Sequence, residues 1–76
     1  MIATKKHFNE YKDTFKKDAT KIYNNLDEAA EEFAEKVNVR KEVAKDRIEN
    51  NSNADWVIAP NGKVYMFFDF GIIKRA

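Results

Sequence analysis

Apolar residues recur every three or four positions between residues 7 and 37, the spacing that places side chains on one face of an α-helix. Asn24 and Asn25 interrupt this stripe. Asn25 followed by Glu28 has the spacing of a capping box, in which an N-cap oxygen precedes a glutamate at the third helical position. The pattern predicts one helix over residues 5–23 and a second over residues 26–37.

A third helix is predicted over residues 39–50. Asn38 tolerates the left-handed conformation that ends many helices, so a break after Val37 is expected. The apolar residues that follow form a narrow stripe, and the polar segment 50–53 ends it. The stripe consists of Val39, Val43, Ala44 and Ile48.

Two apolar segments, 55–60 and 63–70, flank Asn61 and Gly62. Asn-Gly supplies the two positive-φ residues of a type I′ turn, so these segments are predicted to form a β-hairpin with a two-residue loop. The turn fixes the register. It pairs Ala59 with Val64, Ile58 with Tyr65, Val57 with Met66, and Trp56 with Phe67.

Both faces of this predicted hairpin are apolar. One carries Val57, Ala59, Val64, Met66, Phe68 and Phe70, and the other carries Trp56, Ile58, Tyr65 and Phe67. A layer of three helices covers only one face, so the second is predicted to be exposed and to bind a protein partner or a second copy of the chain. The alternative is that the helices lie on both faces of the hairpin.

The predicted fold is therefore a single α+β domain over residues 1–76, with three helices followed by a C-terminal β-hairpin. At 76 residues the chain has room for one hydrophobic core. The core is expected to include Phe8, Phe15, Ile22, Leu26, Phe33, Val37, Val43 and Ile48.

The net charge of +1 gives no overall field that would attract nucleic acid or an acidic membrane. The charge is nevertheless divided along the chain. Residues 1–25 contain six lysines against three acids, whereas residues 26–50 contain eight acids against five basic residues. Two solvated helix faces of opposite charge explain this division. Separately, lysine and asparagine are abundant, which is typical of AT-rich coding sequences such as those of many phage accessory proteins.

Catalytic equipment is sparse, so we expect a non-enzymatic protein without cofactor or metal. The chain has no cysteine and one histidine. His7, Glu10 and Tyr11 share a helix face, which could place an imidazole beside a carboxylate. Asp55 and Asp69 could form a carboxylate pair across the hairpin. Both arrangements are more typical of solvated surface residues than of catalytic groups. The apolar runs are far shorter than the ~20 residues of a membrane span. A cytoplasmic location, the host cytoplasm for a viral protein, is expected.

Residues 30–49 resemble a helix-turn-helix unit, and the segment after them resembles the hairpin of the phage Cro repressors. Ala34 matches the small residue at the helix crossing, and Asn38 matches the turn residue. The surrounding apolar positions are Phe33, Val37, Val39 and Ile48, and the hairpin match is Gly62-Lys63-Val64-Tyr65. Ala44 and Arg47 depart from the pattern, because the family buries branched apolar residues there.

This resemblance implies DNA binding by the second helix of the unit through Arg40, Lys41, Lys45 and Arg47. Glu42, Asp46 and the acidic preceding helix oppose that interpretation, because they would repel phosphates. A second nucleic-acid hypothesis stacks bases on Trp56, Tyr65 and Phe67. The primary prediction remains a protein-binding module, such as an inhibitor, adaptor or assembly subunit, with Cro-type DNA binding as the alternative.

Overall fold

The computed structural model of the chain describes residues 2–50 and 55–68. Within them the elements follow in the order α1 (Lys5–Asp18), β1 (Lys21–Tyr23), α2 (Leu26–Val37), α3 (Lys41–Glu49), β2 (Trp56–Ile58) and β3 (Val64–Met66). The predicted α+β class, with the hairpin strands after the helices, is confirmed. The described chain also contains a strand, β1, that the sequence did not predict.

Helix α1 is shorter than predicted. The Oγ1 of Thr4 accepts a hydrogen bond from the backbone N–H of His7 at 3.2 Å and caps its start. The helix ends at Asp18, and the chain continues in extended conformation. Thr20 then donates its backbone N–H to the carbonyl oxygen of Met66 at 2.7 Å. The prediction of helix through residue 23 is wrong, because pairing with β3 offers Lys21–Tyr23 backbone partners in extended form.

Helix α2 has the predicted bounds, and its predicted N-cap is confirmed. The Oδ1 of Asn25 accepts the N–H of Glu28 at 2.8 Å. At the other end Asn38 adopts the left-handed conformation, with φ 57° and ψ 54°. Val39 N–H then donates to the carbonyl oxygen of Ala34 at 3.0 Å, which satisfies the last turn. Helix α3 begins at Lys41 instead of residue 39, because Val39 and the extended N-cap residue Arg40 belong to the connection after Asn38.

The hairpin closes on a three-residue loop, so the predicted type I′ turn is wrong. Gly62 N–H donates to Ala59 O at 2.9 Å, and Ala59 N–H donates to Lys63 O at 2.8 Å. Among the loop residues only Gly62, with φ 91°, has a positive φ. Pro60 explains the difference: its ring fixes a negative φ that suits the second position of a type I turn, and the glycine after that turn forms a bulge.

The register is consequently shifted by one residue from the predicted one. The three strands form an antiparallel sheet in the order β1-β3-β2. The pairs along the hairpin are Trp56 with Met66, Val57 with Tyr65, and Ile58 with Val64. Because side chains alternate along a strand, this shift changes which residues share a face.

Helices cover both faces of the sheet, as the alternative interpretation of the sequence proposed. The α2 and α3 side holds a cluster of buried residues: Tyr23, Ala29, Ala30, Phe33, Ala34, Ala44, Ile48, Trp56, Val64 and Met66. The α1 side holds a smaller cluster of Ala3, Val57, Ala59 and Tyr65, against which Phe8, Phe15, Ala19 and Phe67 pack. The domain thus has three layers in its described part.

The core prediction holds for some residues and fails for others. Phe33 and Ile48 are buried, and Phe8, Phe15, Leu26 and Val37 are half-buried. Two members were wrong: Ile22 is 42% exposed because it lies on an edge strand, and Val43 is 38% exposed because Ala44 takes the contact with α2. Phe70, Asp69 and the connection at 51–53 lie outside the described residues.

Candidate functional site

The apolar hairpin face predicted to bind a partner is not an exposed face. Trp56 and Tyr65 are each 2% exposed, while Ile58 and Phe67 are half-buried. The new register also divides these four residues between the two sides of the sheet. The Trp56 ring lies 5.2 Å from those of Phe33 and Phe68, edge to face, and is therefore core. The same burial overturns the base-stacking hypothesis.

The predicted DNA-contacting residues are exposed, and three of the four lie together. Arg40, Lys41 and Lys45 line a shallow depression of about 450 Å³ at the start of α3, together with two acids. Arg47 lies outside this group. The two acids, Asp27 and Glu42, partly neutralise the cluster.

Two exposed ion pairs occupy the depression. The Nζ of Lys41 lies 2.8 Å from the Oδ2 of Asp27, and the Nη1 of Arg40 lies 3.7 Å from the Oε1 of Glu42. The hydrogen bond from Lys41 lowers the pKa of Asp27, and the same bond raises the pKa of Lys41. Exposed pairs of this kind contribute little to stability, but they reduce the positive potential available for phosphates.

A second groove, of about 390 Å³, lies between β1 and α2. One wall is the strand, with Lys21, Ile22 and Tyr23, and the other is the acidic side of the helix. The acids follow the spacing i, i+3, i+4, i+7, which places all of them on one helix face. They are Glu28, Glu31, Glu32 and Glu35.

One of these four glutamates, Glu32, binds two side chains of β1. The Oε2 of Glu32 lies 2.6 Å from the Nζ of Lys21, and its Oε1 accepts a hydrogen bond from the Tyr23 hydroxyl at 2.7 Å. The bond from Lys21 lowers the pKa of Glu32, and burial, followed by the bond to Glu32, raises the pKa of Tyr23. This network holds β1 against α2.

The other three glutamates project from α2 without an ion pair to any residue in the described ranges. They are Glu28, Glu31 and Glu35, all exposed. Glu31 and Glu35 stand one helical turn apart, as do Glu28 and Glu32, and like charges at that spacing repel. The groove therefore carries net negative charge, which Lys41 offsets in part through its interaction with Glu31.

Within residues 2–50 and 55–68, no strand pairs with the outer edge of β1. On β3, Lys63 and Phe67 exchange hydrogen bonds with the β2 side, through Ala59 N–H to Lys63 O and Phe67 N–H to Asp55 O. Because antiparallel bonding alternates along a strand, Val64 and Met66 turn their backbone groups toward β1. Their partners there are Tyr23 and Lys21, so the N–H and C=O of Ile22 point away from the sheet.

The opposite edge of the sheet is covered. Ile2 forms a parallel bridge with Ile58, and Ala3 N–H donates to the Ile58 carbonyl oxygen at 2.9 Å. Unpaired sheet edges are templates for another strand, and proteins commonly block them. In the part of the chain that the structure describes, β1 is left as the accessible edge.

Sequence reasoning missed this site because it placed Ile22 in the first helix. The signal that could have found it is Thr20-Lys21-Ile22-Tyr23, in which β-branched and aromatic residues favour a strand over a helix. Asp27 and Glu28 lie in the first turn of α2, where a helix N-terminus favours negative charge, but Glu31 and Glu35 lie beyond that turn.

The suggested catalytic group on α1 is an exposed aromatic contact. The rings of His7 and Tyr11 lie 5.0 Å apart, and no hydrogen bond joins His7 to Glu10 in the described structure. Residues 2–50 and 55–68 contain no group of three or more histidine, aspartate or glutamate side chains arranged to hold a metal ion. No helix among them is long and apolar enough to cross a membrane.

Comparison with known proteins gave no match: no family model fits the chain, and no curated protein or solved structure is significantly similar to it.

Proposed function

We propose that this chain is a small non-enzymatic protein-binding domain whose binding surface is the groove between β1 and α2, and whose partner presents basic side chains. The observation that carries the proposal is the edge of β1, unpaired within the described residues, lying beside three glutamates that form no ion pair with any described residue. The predicted class of function is kept, while the surface moves from the hairpin to the first strand.

Charge favours a basic partner over any other. Lysine or arginine side chains in the groove would interact with Glu28, Glu31 and Glu35 and relieve the repulsion along α2. Complementary charge of this kind mainly supplies specificity and a faster encounter. Affinity for such a partner should consequently fall as salt rises.

A second copy of this chain is a poor occupant of the same edge. An antiparallel pair of β1 strands related by a two-fold axis would place both α2 helices on the same side of the joined sheet. The two glutamate rows would then face each other across the junction, and like charges at an interface are unfavourable. The charge pattern therefore disfavours self-association through β1.

Duplex DNA binding of the helix-turn-helix type is the second candidate. It is favoured by the left-handed Asn38 between α2, which carries the buried Ala34, and α3. Lys41 and Lys45 are exposed on α3, and Arg40 is exposed at its N-cap. The glutamates of α2 oppose it, since that helix would approach the phosphate backbone. We therefore place this function second.

The two candidates are separated by titrating the protein against two fluorescently labelled probes and following anisotropy. One probe is a peptide in which arginine and valine alternate, and the other is duplex DNA of mixed sequence. We expect the peptide to bind and the duplex not to bind at low salt. Binding of the duplex with a steep salt dependence, and no binding of the peptide, would overturn the proposal in favour of DNA.

Charge variants locate the surface. The triple substitution E28Q/E31Q/E35Q should weaken peptide binding, whereas E10Q/E42Q/E49Q, which removes three exposed acids outside the groove, should leave it nearly unchanged. Glu32 is left in place because it holds β1 against the helix. Equal effects of the two variants would show that the groove is not the binding surface.

A further inference from the structure

We infer that the partner enters this groove as an extended strand that pairs with β1, and that its side chains alternate between basic and apolar. The inference rests on the proposed protein-binding function and specifies the form of the ligand. Strand addition at an open edge is a common mode of peptide recognition, in which backbone bonds give affinity and alternate side chains give specificity.

The backbone of Ile22 sets the register of the added strand. Its N–H and C=O both point outward, because Lys21 and Tyr23 on either side pair with β3. In an antiparallel arrangement one residue of the partner would lie opposite Ile22 and exchange two hydrogen bonds with it. Since β1 has three residues, this pair is the centre of the contact.

The faces of β1 then determine the partner's side chains. Ile22 pairs with Tyr65 and lies on the α1 side of the sheet, whereas Tyr23 lies on the α2 side. Residues opposite each other in an antiparallel pair point to the same side. The partner residue opposite Ile22 therefore lies beside a half-exposed isoleucine, and an apolar side chain fits there.

The two neighbours of that central residue point the other way, toward α2. On that side they meet Glu28, Glu31 and Glu35, because Glu32 is held by Lys21 and Tyr23. Lysine or arginine fits opposite Tyr23, and it also fits opposite Lys21 because Glu32 neutralises the Lys21 ammonium. The groove thus selects a basic-apolar-basic segment in extended form, and neither an amphipathic helix nor an acidic strand meets all three requirements.

Three peptides of matched charge test this pairing. The first alternates arginine and valine, the second has the same composition with its arginines and valines in separate blocks, and the third carries an N-methyl group on the central valine of the alternating sequence. Methylation removes the donor to the Ile22 carbonyl oxygen. We expect it to weaken binding about three- to tenfold, the effect of losing one backbone hydrogen bond, and the block peptide to bind more weakly than the alternating one.

Two variants at the same position test the protein side. Ile22→Pro removes the outward N–H at an edge position where proline is tolerated, and Ile22→Ala keeps the N–H while removing most of the side chain. Ile22→Pro should lose more affinity than Ile22→Ala. Amide hydrogen exchange of the unaltered protein provides a readout that needs no variant: exchange at Ile22 should slow when the alternating peptide is added.

The outcomes separate this inference from the proposed function. Equal binding of all three peptides, with unchanged exchange at Ile22 and a loss of affinity in E28Q/E31Q/E35Q, would show a basic partner bound by charge alone and would overturn strand pairing. Absence of binding by every peptide would overturn both. Slower exchange at Ile22, together with weaker binding of the methylated peptide, would support the pairing.

Discussion

The contact between Tyr23 and Glu32 allows a quantitative test of how β1 is attached to α2. Tyr23→Phe removes the hydroxyl that donates to Glu32 Oε1 at 2.7 Å and keeps the buried ring. Hydrogen bonds to charged groups contribute about 1.5–3 kcal/mol. The Glu32 side chain is 31% exposed, so water can replace part of the lost interaction. We expect the lower end, about 1.5 kcal/mol of the free energy of unfolding.

Urea denaturation followed by circular dichroism measures this loss. The midpoint should fall with an unchanged m-value, and the thermal midpoint should fall by about 6–12 °C for a domain of this size. Tyr65→Phe is the matched control, because Tyr65 is also buried but its hydroxyl has no hydrogen-bond partner among the described residues. Equal losses in the two variants, or no loss in Tyr23→Phe, would refute the role assigned to the bond.

The same network predicts how stability depends on pH. Burial and Glu32 raise the pKa of Tyr23, so its contribution is complete below the ordinary value of 10.0 and is lost as pH rises above it. Lys21 lowers the pKa of Glu32, so that contribution is present above 4.5 and is lost as pH falls through the lowered value. Tyr23→Phe should reduce the alkaline loss, and Glu32→Gln should reduce the acid loss, in unfolding curves recorded across pH.

Three further predictions test the fold. Iodide should quench Trp56 fluorescence little, because the ring is 2% exposed; strong quenching in the folded monomer would contradict the burial. Ile48→Ala should cost about 2–5 kcal/mol in urea unfolding, much of the roughly 4–11 kcal/mol expected for this length, while Val43→Ala on the exposed side of α3 should cost far less. Gly62→Ala should cost about 1–2 kcal/mol, because a φ of 91° is unfavourable for a residue with a Cβ, although the space around that Cβ is empty. Gly62→Asn should cost less, because asparagine tolerates a positive φ better than alanine.

Local signals in the sequence predicted the bounds of α2. The capping residue Asn25 and the turn residue Asn38 each act through the few residues beside them, so α2 could be bounded from sequence alone. The end of α1 could not, because Lys21–Tyr23 is extended only through pairing with β3, more than forty residues away. A helical stripe that continues through Ile22 does not reveal that distant competitor.

The hairpin shows how an error of one residue in the register misdirects a prediction of function. Asn61-Gly62 favoured a two-residue loop, but Pro60 and Gly62 together form a three-residue loop, and the register moved by one. That shift, with α1 on the second side of the sheet, buries the face that the sequence suggested for a partner. The strand order places β1 at one edge of the sheet, and the bridge at Ile2 covers the other edge; a sequence pattern contains neither fact.

Backbone amide chemical-shift mapping during a titration with the alternating arginine-valine peptide tests most directly whether function lies in the groove between β1 and α2. We expect the shifts to cluster at residues 21–24 and along the glutamate face of α2, with those of α3 unchanged. Shifts confined to residues 40–45, or no shifts at millimolar peptide, would contradict the proposed binding surface.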